Sequence, residues 1–413
     1  MSSVFFEFPQ QPPIPKFLIK DVLAKLAYVD ERVRAAKISS SGELITLELS
    51  SEASSDSREE LSRRVASLVE AMSDNAFEPE LKIIEQHSFS GSNQTDPMGE
   101  LASRREVVEE GPGYFVLGPL LTAVVAHIEE RILKVAREMQ ATQYRFPSLI
   151  SPAYMERVEY FRNFPHSLTF ATHLRENLPD IQRFSCEAVT VDGVISADSA
   201  VYAPVSAMLA PTVCHHLYLT MSGCRIEGDG ITATATGNCF RFESRNMRSL
   251  ERVWNFTMRE IIFVGTDSYV RACIEEVRNR IRPLLHELEL TYSVMTANDP
   301  FFIGTFRDQA AYQAAFELKH EIRTPLPFKG ETIAVGSYNR HGDFFGRSLN
   351  ITLADGSSAN TGCVGIGFER IAYAFVCQHG IDPAKWPSAL RQAVADSPAS
   401  PRFAPNPRQE VQK

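Results

Sequence analysis

An α+β fold, with an antiparallel sheet flanked by helices and preceded by a small N-terminal α+β domain, is what this sequence predicts. Apolar residues over about the first 85 positions switch between a helical and a strand period. A longer helical period runs from Leu120 to Met139. From about Thr190 to Val264 the chain is crowded with Val, Ile, Thr and aromatic residues, the composition of a pleated antiparallel sheet.

Taken in order, Val22, Leu26, Val29 and Val33 fall on one helical face, Ile45, Leu47 and Leu49 alternate as a strand, and Leu61, Val65, Leu68 and Met72 return to the helical spacing. These elements make the small domain expected over 1–95, closed by the linker-like SFSGSNQTD, Ser88 to Asp96. The second domain, expected over 111–390, begins with a long helix through Leu120, Val124, Ile128, Val135 and Met139. Pro147 and Pro152 keep the next segment, TQYRFPSLISP, extended. Region 267–289 reads as a helix, strands recur around 331–353, and the tail over 396–413 is expected to be disordered.

The chain's 413 residues, 44% of them apolar, suffice for two domains with real cores. No apolar run reaches the roughly 18–20 residues of a membrane span, and MSSVFFEFPQQPPIPK lacks the pattern of a signal peptide, so a cytoplasmic protein without a membrane partner is expected. Seven scattered cysteines, an odd number, argue for free thiols. The first 100 residues hold ten Lys and Arg against seventeen Asp and Glu, and so carry most of the net charge of -9. A domain built to grip nucleic-acid phosphates would lean the other way.

Three segments carry chemistry. In CFRFESRNMRSLERVWNFTMREIIFVG, residues 239 to 265, two apolar-aromatic runs flank a basic stretch and read as a hairpin. Arg241 and Glu243, two apart on a strand, share a face, and Phe256 on the return offers a ring for a base. Arg-x-Glu alone is more often a surface ion pair. In NTGCVGIGFERIAYAF, residues 360 to 375, Gly362, Gly365 and Gly367 form a glycine-rich turn ahead of Arg370 and a helix, in neither the P-loop nor the dinucleotide pattern. The third segment is LAPTVCHHLY, residues 209 to 218.

Together these segments resemble the class II aminoacyl-tRNA synthetases, most closely the seryl branch, over roughly residues 111 to 385. The long helix and the strand ending at Pro147 look like the family's first motif, FRFE (Phe240 to Glu243) like its second, and GIGFER (Gly365 to Arg370) like its third. The resemblance implies a class II synthetase-like catalytic domain, a homodimer, and ATP with Mg²⁺. By it Arg241 binds the α-phosphate, Glu243 lies near the adenine end, Phe256 stacks on adenine, and Arg370 meets the γ-phosphate side. Ala334 stands where the family has a carboxylate that helps bind magnesium.

At the position of the family's Thr-x-Glu element this chain has Pro211, Thr212, Val213 and then Cys214. With Glu260 and Cys363 this looks like the zinc site of the methanogen-type seryl-tRNA synthetases and of their bacterial relatives, the amino acid:[carrier protein] ligases. Two thiolates and a carboxylate would leave zinc an open position for an amine. By spacing alone the cysteines read as buried, metal-free residues. His215 and His216 are left out of the ligand set, since neighbours on a strand face opposite ways. Ser337, Asn339 and His341 are substrate-contact candidates, a hydrogen-bonded structural role being as good a reading.

The reaction implied is attack of a small amino acid's carboxylate on ATP to give an aminoacyl-adenylate, with Arg241 and Arg370 as the catalytic residues. Glycine, alanine and serine are the substrates the resemblance points to. The acceptor is the phosphopantetheine thiol of a carrier protein, or alternatively tRNA in a seryl-tRNA synthetase. A non-catalytic synthetase paralogue is the third reading, which retention of the ATP and zinc residues opposes.

Overall fold

A computed structural model of the chain describes residues 4–50, 55–73, 82–89, 93–244, 247, 249–297 and 318–396. The expected tail lies outside the described residues apart from its first position. None of the helices among the described residues is long and apolar enough to cross a membrane.

The N-terminal unit has its own core. Ile45, Leu47 and Leu49 of the strand Leu44–Leu49 are completely buried and sit between the strands Val4–Pro9 and Val33–Ile38. The helices Ile19–Leu26 and Ser55–Ser73 cover them with Val22, Leu26, Leu61, Val65, Leu68 and Met72. The first helix is shorter than its apolar period suggests: it ends at Leu26, Val29 lies in the turn, and Val33 opens a strand. All four still reach one core, because a turn can aim a side chain inward as well as a helix does.

The main architecture is an eight-stranded sheet in the order Ile83–His87, Tyr292–Thr296, Lys319–Leu326, Glu331–Gly342, Asn360–Gly367, Asn255–Gly265, Gly230–Phe240 and Thr142–Gln143. Every neighbouring pair is antiparallel except the last. The strand Ile83–His87 falls within the span expected for the N-terminal domain but pairs with the large sheet.

One sheet face is sealed by three helices: Pro119–Glu138, Asp267–Glu287 and Phe368–His379. The long helix matches its periodicity, and burying one such apolar stripe is what holds an amphipathic helix to a sheet. On the opposite face lie two short helices, Cys214–Thr220 and Phe344–Leu349. Both replace strand expected from composition, Cys214–Thr220 within 190–264 and Phe344–Leu349 within 331–353.

Candidate active site

Strand alternation builds the floor of the site. Along Asn255–Gly265, Ile261 and Phe263 enter the helix-covered core, which leaves Glu260 and Ile262 to the other face. Ile262 stands opposite Cys363, and Asn339 stands opposite Cys363 from the next strand. Directly opposed residues share a face, so Glu260, Cys363, Asn339 and Ser337 converge. Gly362, Gly365 and Gly367 belong to a strand rather than to a turn. Gly365 faces Glu260, and a Cβ there would come within 2.7 Å of Met258 Cε and 3.4 Å of Glu260 Cγ, so glycine leaves room for the carboxylate.

Cys214 closes the site from above, as the first residue of its helix. The N–H groups of Val213 and Cys214 donate to Glu260 at 3.2 and 3.1 Å, and Thr212 Oγ1 donates to it at 2.5 Å. One ligand atom from each of Cys214, Glu260 and Cys363 lies within 4.8 Å of the others, and all three residues are buried. A hydrogen bond with Cys214 and burial push the Cys363 thiol well above its ordinary range, and burial raises that of Cys214. Two soft sulfur donors and a carboxylate gathered in a dry space fit Zn²⁺. Asn339 Nδ2 donates to Cys363 Sγ at 3.5 Å and to Ser337 Oγ at 2.9 Å.

Cys214, His215 and His216 are helical, so the strand argument for setting the histidines aside does not apply, and packing replaces it. His215 is buried with Nδ1 3.0 Å from Tyr154 Oη, and burial draws its pKa down to about 3. His216 stacks on Phe146 at 5.4 Å. His341 has Nδ1 3.2 Å from Thr361 Oγ1 and 3.5 Å from Tyr218 Oη.

A second cluster adjoins the first. Arg241 and Glu243 lie just beyond the strand end at Phe240, not on the strand. Arg241 Nε donates to the Pro211 carbonyl at 2.8 Å, and its guanidinium lies over the Phe256 ring at 5.3 Å. Thus the segment that presents Thr212 and Cys214 to Glu260 also anchors Arg241. Glu243 takes a hydrogen bond from Arg252 at 2.5 Å and pairs with Arg370 at 3.6 Å. Burial opposes its ionisation, but Arg370, Arg252 and Arg241 outweigh that and hold its carboxyl below the usual range. Ahead of Arg370, Glu369 accepts from the Thr257 N–H at 2.9 Å, tying this helix to the hairpin's return strand.

Sequence reasoning missed Arg252, Tyr218 and Glu321. Opposite signs at the base of the 240–255 hairpin were a usable signal for Arg252. Glu321 stands opposite Ser337, paired with Lys319 and Arg323 at 3.3 and 2.6 Å, and only strand register reveals it.

No family model matches the chain. It is 31% identical over 322 residues to amino acid--[acyl-carrier-protein] ligase 2 of Bradyrhizobium diazoefficiens, covering 76% of this chain and 92% of that protein. To ligase 1 of the same organism it is 29% identical over 308 residues, covering 73% and 91%. The type-2 serine--tRNA ligase of Methanopyrus kandleri is 25% identical over 312 residues, 71% of this chain but 59% of that one. Among solved structures, the fold matches the M. kandleri seryl-tRNA synthetase in complex with A. aeolicus tRNASec, with a TM-score of 0.70 at 21% identity over 91% of this chain and 77% of that one.

Proposed function

The chain belongs to the family of amino acid--[acyl-carrier-protein] ligases, and from that premise we propose that it activates a small amino acid with ATP and transfers it to the phosphopantetheine thiol of a carrier protein. The amino-acid carboxylate attacks the α-phosphorus and pyrophosphate leaves, giving an aminoacyl-adenylate. The carrier thiol then attacks the carbonyl carbon and AMP departs. The observation carrying this reading is the convergence of Cys214, Glu260 and Cys363 beside Arg241, through the shared segment 211–214.

Arg241, fixed by the Pro211 carbonyl, would neutralise charge developing at the α-phosphate, and Arg370 would do the same toward the γ-phosphate. Phe256 offers a face to the base and Glu243 keeps the arginines oriented. Mg²⁺ would accompany the nucleotide. Cys214, Glu260 and Cys363 would hold Zn²⁺, which supplies an open coordination position for the substrate amine. Ser337, Asn339 and His341, alternate residues of one strand, would contact the substrate, with glycine, alanine or serine as the amino acid. A homodimer and a cytoplasmic location complete the reading, along with a domain boundary between 95 and 111; light scattering at twice 46.2 kDa would support the dimer, and the monomer mass would refute it.

Aminoacylation of tRNA is the second reading, favoured by the N-terminal α+β unit. Amino-acid-dependent exchange of pyrophosphate into ATP should occur in zinc-replete enzyme, and Arg370→Ala should abolish it while bound zinc remains. No exchange with any amino acid would sink the enzyme reading. With labelled amino acid and ATP, a holo carrier protein should become labelled; label in tRNA alone would select the second reading.

A further inference from the structure

We infer that the N-terminal unit is a working part of the nucleotide site, in which Lys25 and Tyr28 act through His166 to position the segment carrying Arg241 and Glu243. Lys25 lies in the last turn of the helix Ile19–Leu26 and is 6% exposed, with Nζ 3.4 Å from His166 Nε2. The Tyr28 ring meets His166 edge-on at 5.5 Å. His166 lies in the short turn Pro165–Ser167, where the carbonyl of the adjacent Ser167 accepts a hydrogen bond from the Phe242 N–H at 3.1 Å. Phe242 stands between Arg241 and Glu243. The path from the N-terminal helix to the proposed phosphate-binding arginine is therefore continuous.

Charge supports the same path. Burial draws the Lys25 ammonium down to about 8, Asp21 and Glu243 oppose that fall, and Glu243 also acts on His166 and Tyr28. A buried ammonium is costly to desolvate, and an unbranched apolar side chain would fill the same volume without that cost. Lys25 and His166 are thus positioning residues, acting on ATP through the loop they brace.

The inference rests on the reading of Arg241 and Glu243 as nucleotide contacts. Pyrophosphate exchange by the full-length chain tests it with Lys25→Met, His166→Phe and the double variant. Each single should raise the KM for ATP about 5-fold, and the double no further, as expected for residues acting as one unit. The kcat, the KM for the amino acid and the zinc content should hold, and Lys25→Arg should recover most of the loss. An unchanged KM for ATP, singles that multiply in the double, or a lowered Tm with KM intact would overturn it. If the unmodified chain shows no exchange, the nucleotide-site reading itself fails and takes the inference with it.

Discussion

On one face of the strand Asn255–Gly265, Ile261 and Phe263 meet three helices; on the other, Glu260 meets Cys214 and Cys363. Both faces are dry, since Glu260 is 1% exposed and Phe263 is fully buried. They differ in what burial achieves. Burying Phe263 stabilises the fold, whereas burying Glu260 concentrates charge that a cation would balance. A single strand thus holds the floor of the site rigidly, because the next residue along is fixed in the core.

Substitutions on the two faces should separate these roles. The largest effect is expected for Cys214→Ser, which should abolish zinc binding and pyrophosphate exchange together while keeping the secondary structure seen by circular dichroism, with a Tm lowered by the loss of the bound ion; full activity after metal loss would refute a zinc-dependent reading. Phe263→Ala should cost about 3–5 kcal/mol in denaturant unfolding yet retain zinc in the molecules that remain folded. Asn339→Ala, which removes a donor to Cys363 rather than a ligand, should weaken zinc affinity by roughly 10-fold at least, the scale of groups that orient metal ligands, and unaltered affinity would remove it from the site.

The smallest effect concerns Lys25, which faces Asp21, Tyr28, His166 and Glu243. Folded, it releases its proton near pH 8; unfolded, only near 10.5. Between those values the unfolded chain holds more protons, so this group makes stability rise with pH. The wild-type Tm should therefore gain on that of Lys25→Met by about 2–4 °C between pH 8 and 10, and a constant difference would contradict the assignment.

The same contrast explains what could be read without the structure. The long helix Pro119–Glu138 and the buried strand Leu44–Leu49 follow from periodicity, because each buries one continuous stripe. Cys214–Thr220 was illegible: in CHHLYLT the first five residues are all buried, leaving no polar face to set a period, and seven residues are too few to separate helix from strand. Arg241 and Glu243 were found as residues but misplaced on a strand, since the register with Asn255 ends at Phe240. The Cys214, Glu260 and Cys363 set was legible only by resemblance, because no local spacing encodes residues joined by sheet register. Lys25 and His166, 141 positions apart, left no trace in either segment.

The strand Ile83–His87 has a consequence for anyone who would trim this chain to its catalytic region. It covers the rim of Tyr292–Thr296, and Glu85 is latched by Arg282 through two contacts of 2.9 Å. Cutting after residue 90 would bare that rim, leaving a row of unpaired amides and carbonyls free to recruit any extended chain nearby. On the opposite side, Thr142–Gln143 pairs with only Ala233 and Thr234 of the longer strand Gly230–Phe240. A shortened enzyme would thus be prone to self-association along one side, and it would also lose Lys25 and Tyr28, so solubility as well as the nucleotide site would limit where this protein can be cut.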